Sequence, residues 1–153
     1  MQADNRQAWT LLAVALLSVA GCSDESSSPE AEVRAWLAAA EAAAEERDRS
    51  ALLDLLADSY ADGRGNDKEA IGNMLRVYFF RQQSVSLLTR VEEIRVHGDS
   101  AAEVDMFVGM AGTTNTAFGI RADAYDFALE LVKDDGDWLL IGARWGEAGG
   151  ELH

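Results

Sequence analysis

The spacing of apolar residues changes period once along this chain, from helical to strand-like, and the change falls after Gln83. Upstream, Val33, Trp36, Leu37 and Ala40 recur at helical spacing, with Arg34, Glu41 and Glu45 on the opposite side. Ser28 before Pro29 is a good helix start, and Glu30 and Glu32 suit the positive end of the dipole, so a helix is predicted from Pro29 to about Arg47. Leu52, Leu53, Leu55 and Leu56 suggest a short second helix capped by Asp48 or Ser50. Asp62-Gly63-Arg64-Gly65 breaks the chain, and Asn66 with Glu69 resembles a capping box opening a third helix, with Ile71, Met74, Leu75 and Tyr78 on one face. Downstream, Ser84 to Val96 reads as a strand turned at His97-Gly98-Asp99. Val104, Met106, Val108 and Met110 then alternate with Glu103 and Asp105, and after a polar Gly112–Gly119 loop Tyr125, Phe127, Leu129 and Leu131 alternate with Asp126 and Glu130. An acidic turn, Asp134 to Asp137, leads to a last strand with Leu139, Ile141, Ala143 and Trp145 on one face. Helices followed by an antiparallel meander predict an α+β domain, its three helices packed on one face of a curved four-strand sheet. The lack of βαβ alternation and of a glycine-rich phosphate loop argues against a doubly wound nucleotide fold.

Ahead of the domain, Trp9 to Ala20 is uncharged and too short to cross a bilayer as a helix. It has the length of a signal-peptide apolar region and ends in Val19-Ala20-Gly21-Cys22, which resembles a bacterial lipobox. That resemblance implies cleavage after residue 21, lipidation of Cys22 and a cell-envelope protein held by acyl chains. Ser23, rather than an aspartate, after the cysteine resembles outer-membrane sorting, with the domain on the periplasmic side. The predicted organisation is a signal peptide over 1–21, an acidic serine-rich tether over 22–28, one domain over 29–146 and a frayed tail over 147–153. With 27 acidic and 13 basic residues the net charge is −14, which argues against nucleic-acid backbones as partners and against electrostatic docking on anionic lipid, so that membrane attachment is expected to depend on the acyl chains. Cys22 is the only cysteine, so an acylated chain has no thiol left for a disulfide or a cysteine-ligated metal.

Asp67-Lys68-Glu69-Ala70-Ile71, opening a helix after a glycine loop, and the stretch from Tyr125 through Asp134-Asp135-Gly136-Asp137 to Ile141 with Trp145 beyond, resemble the nuclear-transport-factor-2-like superfamily. The resemblance covers roughly Pro29 to Trp145. It implies a cone-like fold shared by steroid isomerases, polyketide-cyclase-like proteins and non-catalytic binding modules, which often pair as homodimers through the sheet.

Enzymes of that fold work at the mouth of the cone, so the inward titratable groups are the candidates. His97 falls in a turn and His153 ends the chain. Glu103, Asp105, Asp126 and Glu130 alternate away from the apolar faces. Asp123 shares its strand face with Tyr125 and Phe127, and Arg121 lies two residues away; an inward aspartate could serve as a general base. Tyr60 resembles the tyrosine that helix-two regions of the superfamily turn toward the pocket, and Met106, Val108, Tyr125, Phe127 and Trp145 are the predicted lining. No metal, calcium-loop or nucleophile motif is present, and no cofactor is implied. The favoured expectation is a non-catalytic envelope lipoprotein binding a small apolar ligand or another envelope protein. The alternative is an isomerase, cyclase or dehydratase using Asp123 and Tyr60.

Overall fold

Each helix starts on a side chain that satisfies an otherwise orphaned backbone N–H. Ser28 caps α1 (Pro29–Glu45) by accepting from Ala31 N, with proline in the first turn. Asp48 caps α2 (Arg49–Asp54) through Ala51 N, and Asp67, rather than the expected Asn66, caps α3 (Lys68–Arg81) through Ala70 N. The computed structural model describes residues 27–114 and 120–153, with residues 114, 120 and 121 described by backbone only. The signal-like run, Cys22 and most of the tether fall outside the described residues.

The sheet has five strands, not four: β1 (Leu56–Asp62), β2 (Gln82–His97), β3 (Ala101–Thr114), β4 (Ile120–Asp134) and β5 (Asp137–Glu147). Their order is β1-β5-β4-β3-β2, with β1 parallel to β5 and the remaining pairs antiparallel. The expected all-antiparallel meander is therefore one strand short of a mixed sheet. β1 escapes a pattern reading because Leu52 to Leu56 looks helical and Asp58 and Ser59 are poor strand formers; pairing with β5 overrides that local preference. Tyr60 consequently sits on a strand and not in a helix-two region.

The predicted inner faces of β3 and β4 hold. Val104 pairs with Leu129, Met106 with Phe127 and Val108 with Tyr125, so these side chains share one face. α1 lays Val33, Trp36 and Leu37 on it, forming one core with Val104, Leu131 and Leu140. The face predicted for β5 is half right. A bulge between Glu130 and Leu131 lets Leu131 oppose Leu140 while Glu130 opposes Gly142, leaving Ile141 as the extra residue. The inward set is thus Trp138 and Leu140 before the bulge, then Ala143 and Trp145 after it; Leu139 and Ile141 are not part of it. Met74 likewise departs from the predicted apolar face of its helix and is exposed.

The tail is tied down instead of frayed. Trp145 N donates to His153 O, His153 N to Trp145 O and Ala148 N to Ala124 O. A Cβ on Gly63 or Gly146 would collide with the backbone of His153 or Glu151, so glycine at both positions lets the returning tail lie against the sheet end.

Candidate functional site

The inner face is sealed at the end of the β4–β5 hairpin and carries half-buried rings at the other. There Phe127 and Trp145 oppose each other across β4 and β5, and Tyr125 lies beside them. Their centroids are 6.2 Å apart for Phe127–Trp145, stacked at 21°, and 5.9 Å for Tyr125–Trp145 and 6.4 Å for Tyr125–Phe127, both edge-on. These are favourable aromatic geometries, and the bulge in β5 makes them possible by turning Trp145 inward. The Arg64 guanidinium lies 3.7 Å from the Trp145 ring centroid, a cation–π contact, and one of its nitrogens donates to Trp145 O at 3.3 Å.

Asp62 is the carboxylate that pattern reading misses. It opposes Ala143 on the inner face and is only 6 % exposed. Burial pushes its carboxyl up, but the side-chain and backbone N–H groups of Asn66 and the backbone N–H of Arg64 together hold it below the ordinary carboxylate range. Asn66 N donates to Oδ1 at 2.8 Å, Arg64 N to Oδ1 at 2.9 Å and Asn66 Nδ2 to Oδ2 at 2.8 Å, with Trp145 Nε1 in a longer contact at 3.5 Å. The signal was present in Asp62-Gly63-Arg64-Gly65-Asn66, where an aspartate ahead of glycines favours a turn that bonds its own backbone. Such a carboxylate is ionised and fully occupied in shaping the β1–α3 loop.

Tyr60 is buried in the core cluster, its hydroxyl pushed up to about 12 by burial and then by the charge of Asp62. It remains a phenol at any physiological pH and can only donate or accept a hydrogen bond. Asp123 opposes Met110 on the inner face and is half-buried, one register position beyond Tyr125 and Val108. The side chain of Arg121, its expected neighbour, falls outside the described set. Met106 and Val108 are buried in the core, and Phe127 packs against it. Glu103, Asp105, Asp126 and Glu130 lie on the outer face, where Arg95 bridges Glu103 and Asp105 at 3.0 and 2.7 Å. His97 ends β2 with Nε2 3.5 Å from Glu103, and His153 pairs through its backbone with Trp145.

Two open grooves lie elsewhere. One of about 540 Å³ runs between α1 and the β4–β5 turn, lined by Glu32, Trp36 and Trp138 among others. Lys133 and the Trp138 indole both donate to Glu32 there, at 2.6 and 2.9 Å, and hold its carboxyl low. The other, of about 340 Å³, lies among Arg49, Leu53, Asp58 and Lys68. Neither is lined by Tyr60, Asp123 or the ring cluster. Among the described residues, no three His, Cys, Asp or Glu side chains gather as a metal site, and no helix is long and apolar enough to cross a membrane.

No family model matches this chain, and no curated protein matches its sequence. Solved structures do. A ketosteroid isomerase-like protein from Erwinia carotovora atroseptica superposes with a TM-score of 0.63 at 17% identity, over 78% of this chain and 96% of that one. A type 2 hexachlorocyclohexane dehydrochlorinase gives 0.66 at 11%, over 81% and 88%. A nuclear-transport-factor-2-like superfamily protein from Salmonella enterica serovar Typhimurium gives 0.66 at 12%, over 78% and 90%. At such identities the likeness shows the fold alone, which is nuclear-transport-factor-2-like, and a shared fold does not fix an activity.

Proposed function

We propose that this domain is a non-catalytic binding module of the bacterial envelope, held at a membrane through acylated Cys22, with a small flat apolar ligand stacking on Tyr125, Phe127 and Trp145. The supporting observation is the composition of the inner face. Its open end offers three aromatic rings in mutual contact, while Asp62 is ionised and committed to its own loop and Tyr60 is buried as a neutral phenol. Rings of this kind bind flat apolar molecules through area and stacking, with a few polar groups fixing orientation. The neutral fluorophore phenylnaphthylamine is a suitable probe. It should brighten on binding the full chain, and Tyr125→Leu, which keeps apolar bulk but removes the ring, should weaken binding about tenfold, or about 1.4 kcal/mol. Unchanged binding in a variant that melts like wild type overturns the site.

The lipid anchor is tested separately by feeding cells a clickable fatty acid. Wild-type protein should take up label and Cys22→Ser should not. Failure of either arm removes the anchor and leaves the ring site standing.

An enzymatic reading keeps one observation in its favour, the placement of Asp123 on the inner face beside Tyr125. General-base catalysis needs that carboxylate within hydrogen-bond reach of a substrate proton. Turnover of an isomerase- or dehydratase-type substrate that vanishes in Asp123→Asn would replace the binding module with an enzyme.

A further inference from the structure

Helix α3 is apolar on both sides. Ile71, Leu75 and Tyr78 turn toward the domain, partly buried, yet Met74, Val77 and Phe80 recur every three residues on the outward side and are exposed, Phe80 by 86 %. At 100° per residue, Arg76 falls just beyond the Phe80 edge of that outward side and Arg81 within it, between Met74 and Val77, with the exposed Asn73 and Glu69 on the same side. Neither arginine makes a hydrogen bond or ion pair among the described residues, in a protein with twice as many acids as bases. Elsewhere Arg34, Lys68, Arg90, Arg95 and Lys133 are all taken up by carboxylates. From Ala70 to Val91 the chain contains no aspartate or glutamate at all, although 27 are spread over 153 residues.

We propose that the outward face of α3 is a membrane-contact surface, in which Met74, Val77 and Phe80 enter the headgroup boundary of an anionic bilayer and Arg76 and Arg81 hold lipid phosphates. A helix whose exposed side combines apolar residues with arginines suits such an interface, the long side chains reaching up to the phosphates. Charge complementarity selects the occupant. The molecule as a whole is repelled by anionic lipid at −14, and the part of α3 beyond Glu69, which carries two arginines and no acid, is the part that can approach it. An acidic protein partner would be expected to seat its apolar residues in a groove, and neither groove described is lined by Met74, Val77 or Phe80, the second reaching only the first turn of α3 at Lys68 and Glu69. Anchoring at Cys22, the reading proposed above, adds proximity: a tether this short keeps Pro29 within about 25 Å of the bilayer.

The test compares two positions in one vesicle-bound molecule. A polarity-sensitive nitrobenzoxadiazole label is placed on the full chain at Val77→Cys or, at the far β2–β3 turn, at Asp99→Cys. On vesicles of phosphatidylglycerol and phosphatidylcholine, brominated acyl chains should quench position 77 at least about twofold more than position 99. Arg76→Gln with Arg81→Gln should remove most of that excess, and so should phosphatidylcholine alone. Equal quenching at the two positions overturns the proposal, as does an excess that survives both the arginine substitutions and neutral lipid. A blue shift at position 77 that grows with protein concentration without vesicles would instead identify a second copy of the chain as the occupant. Any label taken up by an unacylated Cys22 is common to both variants and cancels in the comparison, so the test reads α3 whether or not Cys22 carries acyl chains, and acyl uptake is scored independently.

Discussion

The two ends of the inner sheet face are built for different ends. At the hairpin end Val33, Val104 and Leu131 are sealed to 1 % exposure or less, and α1 supplies the cover. At the other end Asp123, Tyr125, Phe127 and Trp145 are each only half-buried, although they sit on the same strands in the same register. A closed aliphatic end contributes stability through removal of apolar area from water, while an open aromatic end keeps area in reserve for a ligand. Sheet position alone therefore does not tell core from site; what covers the strand does.

The largest expected effect is at the sealed end. Leu131→Ala should cost about 3–5 kcal/mol, because a fully enclosed side chain leaves a cavity its neighbours cannot fill. Phe127→Ala removes a bigger side chain from a half-buried position and should cost only about 2 kcal/mol. Denaturant midpoints decide between them. Equal losses would mean that the open end is packed as tightly as the closed one, and the division between the two ends would be lost.

Asp62 gives the next effect and sharpens the comparison, since it is a charge held at the open end. Asp62→Asn should cost about 1.5–3 kcal/mol near neutral pH, the range for hydrogen bonds to a charged group. The folded carboxyl lies below its unfolded value, so its stabilisation is complete above about pH 4, the ordinary aspartate range, and is lost as the pH falls through the lower folded value. The gap between wild type and Asp62→Asn should accordingly be flat from neutral pH down to about pH 5 and close in acid. The same substitution removes one of the two causes that raise Tyr60 to about 12, so the phenolate absorbance assigned by Tyr60→Phe should appear at lower pH. A gap that widens in acid, or a Tyr60 titration that stays in place, would show that Asp62 is not the buried anion of this end.

The sealed end was legible in the sequence, whereas the open end was only partly so, for physical reasons. Val104, Met106, Leu129 and Leu131 alternate strictly because β3 and β4 pair without interruption along that stretch. The face of β5 cannot be read the same way: one extra residue at Ile141 reverses which side chains point inward, and nothing in Leu139-Leu140-Ile141 marks it. β1 was hidden because its strand character comes from pairing with β5 rather than from its own residues. Tyr60 and Asp62 went with it, one assigned to a helix and the other to a loop. Asp123, Tyr125, Phe127 and Trp145 share the inner face because each lies a whole number of alternations from a core residue on an uninterrupted stretch of strand.

The smallest effect concerns the outer face of the open end. Alternation makes Asp126 a solvated residue whose loss should stay within about 0.5 kcal/mol. The fold gives it a task, because Asp126 Oδ2 accepts from Gly149 N at 2.8 Å and so helps hold the returning tail. A charge-assisted bond in water contributes little, so Asp126→Ala should lower global stability by no more than about 1 kcal/mol. Its consequence should be local. The tail is also fixed by Ala148 N on Ala124 O and by the mutual bonds of Trp145 and His153, all outside the sealed core. Amide exchange at Gly149 and Ala148 should therefore rise well before exchange at Leu129 or Leu131 changes, the pattern of a segment that opens on its own. If tail and core amides instead accelerate together, the tail belongs to the same cooperative unit as the closed end, and the open end is less independent than its half-buried rings suggest.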